Sequence, residues 1–408
     1  MKLDKNKYMS QKFLICCLSL LCLTFTACGS QKSQELSLGE SNAMPSLPEG
    51  EPIPTPSVGE ETETVAEENR LELSGMPIIG EREVVDGKMQ SYLTGQWLDE
   101  EKARRRPIAV MIPNNAPALP QYGLSKAGII YEAPVEGRIT RLMAMFEDYD
   151  ELEFIGPLRS SRDYYVYVAM GYQAIYCNWG LARPYVEELI NRDTVQNISA
   201  SVAGIKKPAD EAYGRRNRPG YSKEFTGYLY MDGLEKAIER LNYETEYDDT
   251  FVPQFTFIAD GQRAEYNDQE DAVLIYPGGK TSNSGGYGVY NPYFEYHEDD
   301  QLYYRYQDDK KQIDEYSGEQ LAVSNVVFQY CHGEVRDAKD YLAFGVHGEG
   351  EALVFTNGKV IPATWKRYDG DNTPAKFYDK EGNELVLNQG TTWICTIWDE
   401  YGEFVSYE

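Results

Sequence analysis

The sequence predicts an α/β (α+β) protein, a layered mixed-sheet sandwich that follows a disordered tether. Its N-terminal half, residues 89–250, mixes helices with strands, and its C-terminal half, residues 251–408, is rich in strands. Three observations carry this. Short, solidly apolar runs bounded by Pro and Gly occur in the first half, as expected of strands buried on both faces. Segments of helical period lie between them. Beyond residue 250 the pattern turns to short alternating runs dense in tyrosine and separated by Gly turns, the signature of half-buried strands.

The elements follow in order. Pro107 to Ile112 is an apolar run closed by Pro113 and reads as a buried strand. Ile129-Ile130-Tyr131 and Ile139 to Phe146 read as two more, joined as a hairpin through Glu136-Gly137-Arg138. Asp163 to Tyr172 fits helix or strand, and Ser160 and Ser161 before it favour a helix by acting as N-caps. Ala174 to Trp179 reads as a strand, and Pro184 to Asn191 and Asp232 to Leu241 as helices. In the second half Phe255 to Phe257, Tyr303 to Tyr306, Val323 to Tyr330 and Ala352 to Thr356 read as strands. Asn357-Gly358 is a strong hairpin signal, because both central positions of a type I′ turn need positive φ. Gly382-Asn383 is expected to turn another hairpin.

The start of the chain speaks to location. Lys2, Lys5, Lys7 and Lys12 precede an apolar run from Phe13 to Thr26, which closes on Ala27-Cys28-Gly29. Charge, short apolar core and small residue in that order make a secretory signal peptide, residues 1–27, too short to span a membrane. Cys28 resembles the lipobox cysteine of bacterial lipoproteins. That resemblance implies cleavage before Cys28, acylation of its thiol and amino terminus with palmitate-type chains, and attachment to the extracytoplasmic face of the cell membrane. Residues 28–88 then form an acidic tether rich in Pro, Ser and Glu, unable to bury enough apolar surface to order itself. Losing the signal's four lysines and one aspartate takes the formal charge from −27 to −30. So acidic a surface disfavours nucleic acid and anionic headgroups, which leaves acyl chains as the membrane contact. Of the cysteines in the folded part, Cys177, Cys331 and Cys395 are odd in number and do not describe a disulfide framework. Buried free thiols are expected.

Several stretches resemble one family, the YerB-like lipoproteins of Gram-positive bacteria. They are Leu93-Thr94-Gly95, 106–114 (RPIAVMIPN), 123–127 (GLSKA), 131–141 (YEAPVEGRITR) and 155–162 (IGPLRSSR). In the second half they are 325–327 (NVV), 357–360 (NGKV), 364–367 (TWKR) and 390–393 (GTTW). The resemblance implies two sequence modules, 89–250 and 251–408, building one layered sandwich, and it implies no enzymatic activity. The chain departs from the family pattern at Arg138, where glycine is usual, and at Pro219-Gly220-Tyr221, where the family has Pro-His-Asn.

The residues that could carry chemistry are few. Arg159 and Arg162 flank two serines at the expected helix start, where free N–H groups and the helix dipole favour anions. Guanidinium groups add planar donors suited to carboxylate or phosphate. Arg141 on the preceding strand joins them, with Glu132 as the group that orients the set and Glu136 as a second carboxylate. The bland alternative is an internal ion-pair network in which Glu132 and Glu136 hold the arginines. Glu132 and Glu136 also raise the option of a glycosidase acid–base pair, although Pro134 between them argues against helical stacking. His297, His332 and His347 stand in no metal-binding spacing, and no metal or cofactor is expected. Asn114, Tyr131 and Trp179 fall at strand ends, where loops assemble clefts. The 33 tyrosines offer flat apolar faces with polar tips, though strand positions also favour them.

These features favour a non-catalytic, membrane-anchored binding module for a cell-wall polymer or a wall-synthesis membrane protein. The alternatives are a cell-wall hydrolase using Glu132 and Glu136, and a solute-binding lipoprotein.

Overall fold

The computed structural model describes residues 75–280 and 287–408. Cys28, the signal segment and the tether through residue 74 lie outside these residues. Within them, one mixed sheet of eleven strands draws on both halves of the sequence. The first half supplies β1 (Ile108–Pro113), β2 (Ile129–Val135), β3 (Ile139–Phe146), β4 (Ile175–Asn178) and β5 (Asn197–Ser199). The second supplies β6 (Glu270–Asp271). A second sheet is built around β7 (Leu274–Tyr276), β8 (Tyr293–His297) and β9 (Leu302–Gln307). The main sheet then continues with β10 (Asn325–Cys331), β11 (Gly348–Thr356), β12 (Lys359–Arg367), β13 (Lys376–Tyr378) and β14 (Thr392–Trp398).

The main sheet runs β6-β12-β11-β10-β14-β2-β3-β1-β4-β5, with β13 beside β12. The two halves meet at β14, which is parallel both to β10 and to β2. Thr392 pairs with Asn325 on one side and Ile129 on the other, so a strand from the end of the chain closes the sheet. The expected hairpins are present. β2 and β3 turn through residues 136–138 with Val135 opposite Ile139. β11 and β12 turn at Asn357-Gly358, with φ of 53° and 69° and Thr356 opposite Lys359.

Strand alternation sorts the core into two faces. Ala109 and Met111, Ile129 and Tyr131, Met143 and Met145 and Ile394 face one side. They pack under the helices α1 (Asp163–Gly171) and α2 (Arg183–Ile190). Ile108, Val110, Ile130, Leu142, Ala144 and Trp393 face the other. There they meet the second sheet through Ile275, Phe294 and Tyr303, and the helix α3 (Met231–Leu241). The result is three layers, helices over sheet over sheet, as the pattern of the sequence predicts. Cys177, Cys331 and Cys395 are buried free thiols.

Two local expectations need correction. α1 forms where expected, but Ser160 and Ser161 do not cap it: Arg162 is the N-cap residue and no side chain caps the helix. Ser161 instead shares a hydrogen bond with the Tyr176 hydroxyl at 2.8 Å. Residues 78–88, expected as the last part of the tether, lie on the body. Ile78 bridges Ile258, and Ile79 donates to the Phe257 carbonyl, because two adjacent isoleucines end the acidic run.

α3 shows why its sequence is helical. Met231, Leu234, Ala237 and Ile238 make one buried face, Asp232 and Arg240 suit the helix dipole, and Asn242 ends it at φ 54°. Gly233 is required by a close approach. A Cβ there would stand 2.1 Å from the Glu211 carbonyl oxygen and 2.7 Å from the Ala212 Cα, both backbone atoms. Gly233→Ala is therefore expected to destabilise by about 1–3 kcal/mol, outweighing alanine's better helix propensity, in urea unfolding.

Candidate functional site

Three parallel strands, β1, β4 and β5, end on one rim of the main sheet. Residues 159–161 are clipped across it. Arg159 donates its N–H to the Met111 carbonyl at 3.0 Å, Trp179 donates to Arg159 at 3.2 Å, and Ser161 to Gly180 at 2.9 Å. Gly180, at φ 105°, leaves no room for a Cβ, which would sit 2.4 Å from the Ser160 hydroxyl. α1 and α2 both begin just past this rim, at Asp163 and Arg183. The carboxyl end of parallel strands, with helix starts facing it, is where open α/β sheets bind ligands, and helix starts favour anions.

Arg141, Arg159 and Arg162 gather here, as the sequence suggests, but they are not equivalent. Arg162 is buried and held in a fork by Glu136: Nε donates to Oε1 at 2.9 Å and Nη2 pairs with Oε2. Arg159 is 29% exposed, pairs with Glu224 at 2.9 Å and lies over the Phe225 ring. Arg141 is only 4% exposed and has no carboxylate partner among the described residues. Its Nη1 donates to the Ser160 carbonyl at 2.7 Å, and its Nε is enclosed without any partner. Burial pushes this guanidinium down to about 9, and the like charges of Arg162 and Arg159 push in the same direction. A buried cation without a counter-charge is costly, and proteins rarely keep one without use.

The other sequence candidates divide. Trp179 is at the rim, beneath the Arg215 guanidinium at 4.5 Å and tilted against Tyr213 at 5.6 Å. Glu132 is not: it is fully buried on the opposite face of the sheet and does not orient the three arginines. Its carboxylate accepts from Arg305 Nη2 at 2.9 and 2.8 Å, Trp393 Nε1 at 2.9 Å, the Thr140 hydroxyl at 2.6 Å and Asn114 Nδ2 at 2.9 Å. The physical reason is parity. Glu132 alternates with Tyr131 and Ala133, and Arg141 stands opposite Ala133, so the two side chains leave the sheet on different faces. Glu136 lies just past the end of β2, in the turn, and reaches Arg162 at the start of α1 while Glu132 holds Arg305, so the acid–base pair of a glycosidase is not assembled.

Asn114 and Tyr131 are internal as well. Asn114 is buried and also accepts from Gln307 at 2.7 Å and Gln312 at 3.0 Å. Tyr131 is buried, shares a hydrogen bond with the Tyr172 hydroxyl at 3.1 Å and accepts from Gln254 at 2.9 Å. Burial pushes its hydroxyl up to about 12. The histidines do ordinary work: His332 and His347 face Asp399 and Asp371, and His297 stacks on Tyr304. Among the described residues no cluster of three His, Cys, Asp or Glu could hold a metal ion, and no helix is long and apolar enough to cross a membrane.

Sequence reasoning missed Arg215, Glu224 and Arg305. Arg215 and Glu224 belong to the stretch 215–224, whose only local sign is three arginines in four residues. Arg305 could have been found, since it shares the inward side of β9 with Tyr303 and Gln307. A charge at an inward strand position requires a buried partner.

The chain belongs to a two-domain family described as "Protein of unknown function (DUF3048)". Its N-terminal domain matches residues 93–244 and its C-terminal domain residues 284–394. A relative is the Bacillus subtilis (strain 168) protein named "Putative lipoprotein YerB". It is 28% identical over 313 residues, covering 76% of this chain and 87% of the relative. The crystal structure of the YerB protein from Bacillus subtilis superposes with a TM-score of 0.64 at 25% identity, covering 78% of this chain and 99% of the other.

Proposed function

We propose that this protein is a lipid-anchored, extracytoplasmic, non-catalytic module that captures an anionic component of the cell envelope at the arginine rim. Arg141 carries the reading: it is a buried guanidinium whose missing counter-charge an incoming carboxylate or phosphate would supply. Arg159 and the starts of α1 and α2 lie beside the same point, while the Trp179 ring packs over the opposite face of the sheet. Arg162 is already neutralised by Glu136 and holds the frame. The acylated Cys28 would keep the module at the membrane, and the relative's name as a lipoprotein agrees with that.

The test pairs stability with binding. Arg141→Met removes an uncompensated buried charge, so the variant is expected to unfold at equal or higher urea concentration than wild type. The same variant is expected to bind purified cell-wall fragments at least about tenfold more weakly, the loss of one charged hydrogen bond. Wild-type binding should fall with added salt, and Arg159→Ala should weaken it further. A destabilised Arg141→Met that still bound normally would show a merely architectural arginine. No binding by the folded wild type would move the reading to a protein partner.

A further inference from the structure

A cavity of about 830 Å³ opens away from the arginine rim. It lies between the segment Ile78 to Tyr92, the connection Phe251 to Phe257, and the turn carrying Lys376 and Glu384. That volume is in the range of small-molecule sites, roughly 300–1,000 Å³. Much of its lining is apolar, from Ile79, Met89, Tyr92, Phe251, Phe255 and Phe257. Phe255 and Phe257 are themselves buried in the main core, which fixes that wall rigidly.

One cation on this wall is left over. The Arg82 guanidinium carbon lies over the Tyr92 ring, 3.2 Å from its centre. Its Nη1 donates to the carbonyls of Gln90 at 2.6 Å and Ala103 at 2.9 Å, which fixes the plane of the fork. Among the described residues its Nε is enclosed without a partner, and Nη2 has no hydrogen bond and is not shut away. The other charges at the rim are spoken for: Lys376 by Glu384 at 2.8 Å, and Arg104 by Glu100 at 2.8 Å. Glu81 is exposed at the mouth. Arg82 pulls on the buried Glu147 carboxyl through space, but the Glu147 oxygens accept from the hydroxyls of Ser91 and Tyr247 and make no bond to Arg82. A cavity with an aromatic and aliphatic wall beside a polar one, and one oriented guanidinium without a carboxylate partner among the described residues, is complementary to a molecule with an apolar body and a negative head.

We infer that this cavity binds an aliphatic-chain monoanion, its carboxylate or phosphate head on Arg82 and its chain along Phe255 and Phe257. The site is separate from the arginine rim and does not depend on the function proposed there. Such a ligand would replace water on the aromatic wall and bring Arg82 the acceptor that it lacks.

The experiment is calorimetric titration of the chain without residues 1–28, its fold checked by a cooperative melt. The probes are dodecanoate, dodecyl phosphate and dodecanol, each below its micelle concentration. Saturable binding of one anion per chain is expected, with the alcohol at least about tenfold weaker. Arg82→Gln should bring the anions down to the alcohol's level, while Arg82→Lys keeps a preference for them. Phe255→Asp should abolish binding of all three. Preference for dodecanoate over dodecyl phosphate, or the reverse, identifies the head. Absence of saturable binding, equal affinity for acid and alcohol in the wild type, or an unchanged preference in Arg82→Gln would each overturn the inference. Should Arg82→Gln fail to melt cooperatively, the wild-type ratio of acid to alcohol and the Arg82→Lys titration decide.

Discussion

Arg305→Met should cost about 3–5 kcal/mol of stability, the penalty for leaving a buried charge without its partner. Glu132 and Arg305 are both fully buried, and the guanidinium lies between the rings of Phe294 and Trp393, at 4.6 and 4.8 Å. Methionine would keep the packing against those rings and remove only the charge and its donors. Glu132 would retain Trp393, Thr140 and Asn114, which are neutral donors and cannot balance a carboxylate. The double variant Glu132→Gln/Arg305→Met should recover part of the loss, because the amide keeps an acceptor for Trp393 without a charge. Urea unfolding of the three proteins checks this. A single variant within about 1 kcal/mol of wild type would mean that water reaches Glu132 and the pair is dispensable. Binding at the arginine rim, on the other face of the sheet, should survive Arg305→Met wherever the protein remains folded.

The second large effect is a pH dependence. Glu147 is 4% exposed, and burial pushes its carboxyl up to about 7, against the opposing pull of the Ser91 hydroxyl, Arg82 and Tyr247. Its ordinary value is 4.5. Between those values the folded state holds a proton that the unfolded state has released. Stability therefore falls as pH rises from about 4.5 through 7, and the loss approaches about 3 kcal/mol above that window. Glu147→Gln removes the titration and keeps one oxygen to accept from Ser91 or Tyr247, the other hydroxyl turning to accept from the amide NH2. It should be more stable than wild type at pH 8, by up to that amount, and should meet the wild-type curve near pH 4.5. Parallel curves for the two proteins would contradict the burial of a charge at this position.

What the sequence made legible, and what it did not, follows from the range of the forces involved. β1, β2 and β3 could be read from their apolar runs, and the turn at Asn357-Gly358 from its need for positive φ, because those signals are local. The gathering of Arg141, Arg159 and Arg162 was legible for the same reason: the hairpin and the helix start that bring them together lie within 22 residues of one another. The partner of Glu132 was not, because Arg305 lies 173 residues away and only the packing of the second sheet delivers it. The roles of the two carboxylates inverted for a reason of parity. One residue of offset along β2 decides which face receives a side chain, and the loop carrying Glu136 is free of that rule. Ser160 and Ser161 looked like caps in sequence. The extended segment 159–161, committed to hydrogen bonds with β1 and the end of β4, kept them from the geometry that a cap needs.

The place of β14 has a consequence for the order in which the molecule is made. Residues 392–398 are synthesised after every strand they join, yet they lie between β10 and β2 and supply the hydrogen bonds of both. Until they arrive, each half presents an open strand edge ready to pair with whatever comes first. A nascent chain would wait with its first half unsealed, so the interval between emergence of β2 and of β14 is when a chaperone or a neighbouring copy has most to gain. The contacts that seal the sheet span more than 260 residues between Ile129 and Thr392, a separation that makes the final step slow in comparison with the hairpins that precede it.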